Sequence, residues 1–167
     1  LRWVVAAALL RENNSLSSQY FDIYCSTVDA ALKRDIGGAL AASRDRDTLK
    51  SYLPKLMDGT IRPQDRFGFY YRLVGNYVSQ DDALDWMFEN WDWLAKEEGD
   101  KTIADYPRYV ATIIRQEEAA KKYREFFEPK IGHPALIRDI KVGLADIDAK
   151  LKLIHEDQPA VFKELGF

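Results

Sequence analysis

The sequence predicts an all-α protein: a HEAT-like α-solenoid of antiparallel helical hairpins or, as the second choice, a compact bundle. Three observations carry this. Apolar residues recur at i, i+3, i+4 and i+7 through most of the 167 residues, which lays them along one stripe of a helix. No long run alternates with the period of two that a half-buried strand needs. Glycine, proline and short polar phrases interrupt the stripes, and short connections favour antiparallel neighbours.

Taken in order, WVVAAALL at residues 3–10 reads as a core helix. It is too short to span a bilayer, and no small-x-small cleavage site follows it. Asn13, Asn14 and Ser15 separate it from a second helix near 16–25, and Ser26 and Thr27 precede a third near 28–43. Gly37 and Gly38 fall within that third helix, where close helix packing is their expected use. Residues 44–47 make a charged turn. Leu49, Tyr52, Leu53 and Leu56 then form one stripe, and Gly59 stands where a helix C-terminus takes a left-handed residue. Phe67, Tyr70, Tyr71 and Val74 mark the next stripe. Leu84, Met87, Phe88, Trp91 and Leu94 mark a Trp-rich helix that Gly99 and Asp100 end. Trp86 and Trp93 lie on a second face of that helix, which predicts burial on two sides. Pro129 and Gly132 precede a long last helix carrying Leu136, Ile140, Leu144, Ile147, Leu151 and Ile154, and Pro159 closes or kinks it. This makes nine or ten helices. No Pro/Ser-rich linker divides them, so residues 1–167 read as a single helical domain.

Composition narrows the function. Apolar residues are 47% and charged residues 31%, an ordinary globular profile. Lys plus Arg is 24 against 27 Asp plus Glu, a net charge of −3. That gives no basic face for nucleic acid and no polybasic segment for a membrane surface, so neither is an expected partner. The single cysteine, Cys25, allows no internal disulfide and reads as a buried free thiol.

The search for catalytic motifs is nearly empty. His155-Glu156-Asp157-Gln158-Pro159 begins like a zinc-binding His-Glu-x-x-His helix, but Pro159 stands where the second imidazole is required. Two histidines and one cysteine make no N/S metal cluster, and no Gly-x-Ser-x-Gly elbow or Gly-rich phosphate loop occurs. Neither a catalytic residue nor a metal is expected in this chain. Asp81 with Asp82, and Glu97 with Glu98, read as solvated helix ends. Lys121, Lys122 and Arg124 are too small a cluster to argue for nucleic acid.

The polar phrase at residues 60–65 is either a binding loop or the start of a helix. Pro63 suits the first helical position, where its missing N–H is no loss. Arg62, before a proline, is pushed to extended geometry. Gln64 and Asp65 fall in the first turn, where Asp65 complements the dipole. The helix-start reading leaves Arg62 without a structural reason.

Several phrases in series resemble the C-terminal helical domain of aminopeptidase N-type zinc metallopeptidases, the endoplasmic-reticulum-aminopeptidase-like C-terminal domain. The family's Gly-x-(Ile/Val)-Arg-x-Gln-Asp phrase is matched by Gly59, Ile61, Arg62, Gln64 and Asp65. Its Trp-rich helix is matched by Trp86, Phe88, Asn90 and Trp91, followed by Leu94. Residues 110–115 and then Phe126-Phe127 follow in order, and the long last helix closes the series. The match runs over residues 28–166, and residues 1–27 are its least distinct part.

The resemblance implies a HEAT-like α-solenoid that is part of a larger, cytoplasmic enzyme removing N-terminal amino acids from peptides. The zinc and the catalytic residues would then sit in a separate thermolysin-like domain. The partners would be that catalytic domain and a peptide substrate. The helical domain would enclose the active-site cavity and control peptide access, excluding water and wrong-shaped substrates. On this view Arg62, Gln64 and Asp65 are candidates for peptide contact, while a tie from Arg62 to a neighbouring carbonyl or carboxylate is its structural alternative. One position departs from the family. Members that grip a peptide's terminal carboxylate often carry an Arg after Ala-Leu, where this chain has Ala39-Leu40-Ala41-Ala42. Arg44 and Arg46 are the nearest substitutes, in a turn expected to face water. The alternative function is a free-standing helical adaptor that binds a partner segment in a groove. An exposed apolar patch within residues 1–10 would favour the access domain over the adaptor.

Overall fold

The computed structural model describes residues 2–166, and among them it contains ten α-helices, two short 3-10 turns and no strand. The chain forms two compact units, one ending at Glu89 and the other beginning at Asn90.

The first unit holds α1 (Arg2–Glu12), α2 (Leu16–Ser26), α3 (Ala30–Leu40), α4 (Arg46–Ser51), α5 (Pro63–Gly75) and α6 (Gln80–Glu89). Helix α3 packs on α1, α2 and α5, and α5 packs on α6. Asp29 caps α3 by accepting from the Leu32 and Ala31 amides, and these bonds hold its carboxyl below the usual range. Asp45 caps α4 through the Thr48 amide at 2.8 Å. Helix α4 therefore starts inside the phrase expected to be a charged turn. Gly37 earns its place by packing, since a Cβ there would lie 3.2 Å from the Tyr24 ring and 3.5 Å from that of Phe69.

Three expectations are corrected in this unit. Helix α1 is not a core helix: only Ala7 and Leu10 are buried, while Trp3, Val4, Val5 and Leu9 are about half exposed. Its apolar residues run nearly all round the helix, so one neighbouring surface cannot cover them. Leu49, Tyr52, Leu53 and Leu56 are all buried, but not on one helix. Helix α4 stops at Ser51, and Pro54, unable to continue the ladder, opens a 3-10 turn (Pro54–Leu56). On α5 the buried face is Arg66, Phe69, Tyr70, Leu73 and Val74. Phe67 and Tyr71 lie beside it, half-buried and stacked on each other at 6.4 Å.

Asp82 also departs from the solvated role expected of it. Its side chain is 10% exposed and meets Arg46 Nε at 2.7 Å and Lys50 Nζ at 3.4 Å. The Arg46 hydrogen bond, aided by Lys50, holds its carboxyl below the usual range. The folded pKa is depressed, so this stabilisation is present above the unfolded value near 3.8. It is lost as pH falls through the folded pKa. Asp82→Asn should flatten the acid limb of the stability profile below about pH 4. An unchanged acid limb in urea melts at successive pH values would remove Asp82 from that role.

The second unit holds α7 (Trp91–Ile103), α8 (Asp105–Ile113), α9 (Glu117–Phe127) and α10 (Ile137–Leu165). Its core is aromatic, with Trp91 and Phe127 at 5.2 Å and Tyr123 and Phe127 at 4.7 Å between ring centroids. Helix α7 is broken at Gly99, whose φ of 68° and ψ of 167° only glycine adopts freely. Helix α10 packs on α8 and α9. Its stripe holds through Leu136, Ile140, Ile147 and Leu151, with Leu144 and Ile154 half-buried. Pro159 does not end the helix, which runs on to Leu165 and closes at Gly166 with φ 80°.

The Trp-rich run is two helices. Asn90, at φ −108° and ψ 17°, interrupts it, leaving Trp86 on α6 and Trp93 on α7. The expected second face of one helix therefore does not exist. Trp86 and Trp91 are buried and Trp93 is half-buried. Among the described residues no helix is long and apolar enough to cross a membrane.

Candidate functional site

The phrase at residues 60–65 starts α5. Pro63 is the first helical residue, and Arg62 before it is extended at φ −60° and ψ 146°. The Arg62 Nε donates to Asp65 Oδ2 at 2.7 Å, which gives Arg62 the structural tie that the sequence left open. That bond raises the Arg62 pKa above its ordinary value. The two side chains are 40% and 30% exposed, so the pair remains open to solvent. Gln64 is exposed.

Gln64 and Asp65 line a cleft of about 320 Å³ framed by α2, α3 and α5, and Arg62 does not. The deep wall is Tyr24, Gly37 and Phe69, and the other polar groups are Lys33, Arg34 and Arg72. Tyr24 is 2% exposed, and its hydroxyl has no hydrogen-bond partner among the described residues. Burial, then the nearby Asp65 carboxylate, pushes the Tyr24 pKa up to about 12, so the phenol stays neutral. Leaving a buried hydroxyl unsatisfied costs about 1–3 kcal/mol. Tyr24→Phe should therefore leave the protein as stable or more stable in thermal melts, and a clear loss would mean that the hydroxyl has found an acceptor.

Sequence reasoning missed Tyr24, Lys33 and Arg72 as members of one site. They stand on three helices at no recognisable spacing, so no local signal joins them. It also missed Arg66, a buried residue whose Nε donates to the Leu56 carbonyl at 3.0 Å and fastens α5 to the preceding turn.

Cys25 is exposed, contrary to the buried thiol expected. Tyr24 takes the core-facing position on α2, and the next residue points about 100° away. Partial desolvation still raises the Cys25 pKa, against the pull of Lys33, so the thiol is not activated. Arg46 does not substitute for the missing family Arg, because both its Nε and its NH2 group are bonded to Asp82. Arg44 is exposed.

Among the described residues, no three His, Cys, Asp or Glu side chains are grouped to hold a metal ion. His155 lies instead 3.5 Å from Glu117 on an exposed face.

Residues 1–149 match the ERAP1-like C-terminal domain. The chain belongs to that family. This agrees with the resemblance carried by Arg62, Gln64, Asp65 and the Trp-rich segment. The domain is 33% identical over 151 residues to aminopeptidase N of Lactobacillus helveticus, covering 89% of this chain and 18% of that protein. It is 30% identical over 165 residues to aminopeptidase N of Lactococcus lactis subsp. lactis, covering 96% and 19%. The alanine/arginine aminopeptidase of Saccharomyces cerevisiae is 28% identical over 160 residues, covering 93% and 18%. The chain thus spans about a fifth of the length of the curated relatives it matches.

Proposed function

We propose that this chain is the substrate-access domain of a cytoplasmic zinc aminopeptidase. Its helices form a HEAT-like α-solenoid that covers the active-site cavity of a separate catalytic domain. The catalytic domain supplies the zinc and the chemistry, a metal-activated water attacking the first peptide bond. This chain supplies exclusion: long peptides reach the cavity only when the domain opens. Arg62, Gln64 and Asp65 contact the peptide from the start of α5.

The observation that carries the reading is the apolar face of α1. Trp3, Val4, Val5 and Leu9 are each about half exposed, and Val5, Ala6 and Leu9 with Tyr20 line a hollow of about 350 Å³. Exposed apolar residues concentrated on one element in this way mark a docking surface, and a free-standing adaptor would carry polar residues there.

The test is kinetic and uses the whole enzyme. Arg62→Ala should lower kcat/KM for long peptides about tenfold while leaving single-residue amides within about twofold, since a distal contact worth about 1.4 kcal/mol is absent from the short substrate. Equal effects on both would sink the peptide contact. The 167-residue chain alone, with zinc added, should release no N-terminal residue from any peptide. Zinc-dependent release by this chain would defeat the access-domain reading.

A further inference from the structure

The cleft framed by α2, α3 and α5 has a charge imbalance that its own residues do not resolve. It holds three cations, Lys33, Arg34 and Arg72, and one carboxylate, Asp65. That carboxylate is already matched by Arg62 at 2.7 Å. Lys33 is 6% exposed, yet its ammonium has no carboxylate partner among the described residues and lies 4.8 Å over the Tyr24 ring. Arg34 has no hydrogen-bond or ion-pair partner among the described residues. Arg72 donates one N–H to the Gly68 carbonyl at 3.0 Å and meets no carboxylate among the described residues.

A buried ammonium without a counter-charge is costly and is ordinarily paired. A buried phenol without an acceptor is costly for the same reason. Both occur in the wall of one cleft, where the missing partner of each is of the same kind. An oxygen anion would accept from the Tyr24 hydroxyl and the Lys33 ammonium, and the Arg34 and Arg72 guanidinium groups can present parallel N–H donors from the rim.

We propose that this cleft binds a small oxyanion, a carboxylate or phosphate group, held by Lys33, Tyr24, Arg34 and Arg72. Asp65 opposes the anion and sets its affinity, with Arg62 damping that opposition. The site is distinct from the docking face on α1 but shares Gln64 and Asp65 with the proposed peptide contacts; anion binding by this chain is tested without the access-domain reading.

The test is titration of the 167-residue chain with sodium acetate and with sodium phosphate at constant ionic strength, read by NMR at the side chains of Tyr24 and Lys33. Sodium chloride at the same ionic strength is the control for screening. Both salts should give saturable shifts centred on the cleft that chloride does not reproduce. Tighter acetate binding assigns the site to carboxylates, whether free or at the end of a peptide. Tighter phosphate binding assigns it to phosphoryl groups. A peptide with a free carboxyl terminus, compared with its amide, separates the first two sources.

Lys33→Met keeps length and apolar contact, so the fold is retained, and it should weaken binding about tenfold. Arg34→Gln changes an exposed position and should weaken it about threefold. Asp65→Asn should strengthen binding, an effect that a purely structural role would not produce. Unsaturable shifts, shifts equalled by chloride, or unchanged affinity in Lys33→Met and Arg34→Gln together would overturn the proposal.

Discussion

Gly143→Ala should be among the most damaging single substitutions in this protein, lowering the stability of the second unit by about 2–4 kcal/mol. A Cβ at position 143 would lie 2.3 Å from the Tyr123 hydroxyl, 3.0 Å from the Ala111 Cβ and 3.3 Å from the Pro107 carbonyl oxygen. Each neighbour is held. Tyr123 is fully buried and donates to the Pro107 carbonyl at 3.0 Å, and Ala111 is fully buried on α8. The added methyl must either displace α8 from α10 or push Tyr123 off its acceptor. Alanine gains about 1 kcal/mol over glycine in helix propensity, which overpacking and a broken buried hydrogen bond outweigh. Urea unfolding followed by tryptophan fluorescence measures the loss. Adding Tyr123→Phe removes the closest atom, so the double variant should lose less than the sum of the two single losses. Strict additivity would show that the clash does not run through the hydroxyl.

The second large effect is expected at Phe69. Its ring is 2% exposed and packs edge-on against Tyr24 at 5.7 Å and Tyr52 at 5.8 Å. Phe69→Ala should cost about 3–5 kcal/mol, the usual range for a buried aromatic cut to alanine. Phe67→Ala, two positions away and half-buried, should cost clearly less. Comparing the two urea midpoints decides which face of α5 is inside. If Phe67→Ala proves the worse, the buried face of α5 has been assigned to the wrong side. Phe69 also walls the oxyanion cleft, so Phe69→Ala should weaken acetate binding even where the chain remains folded, as seen at low temperature.

The all-α class was legible in the sequence because helical periodicity needs only local information. The positions of Gly59, Gly99 and Pro63 were legible for the same reason: each acts through its own φ or its own missing N–H. The start of α5 could be read to the residue, and with it the candidates Arg62, Gln64 and Asp65. Periodicity was ambiguous where two registers were both apolar. Phe67, Tyr70, Tyr71 and Val74 fit a stripe as well as Phe69, Tyr70, Leu73 and Val74 do, and only the neighbours Tyr24 and Tyr52 chose between them. In the Trp-rich run the apolar spacing carried on across Asn90 while the backbone did not.

The ordered phrases of the chain, unaided, thus determined its helical class and the family to which it belongs. Tertiary structure decided which face of each helix is buried, that Cys25 is exposed, that Asp82 is held by Arg46 and Lys50, and that Gly143 admits no side chain. It also decided that Tyr24, Lys33 and Arg72 share one cleft. The physical reason is common to all of these. Conformational preferences are set by a residue's near neighbours in the chain, whereas burial, pairing and steric clearance are set by atoms distant in sequence that the fold alone brings within a few ångströms.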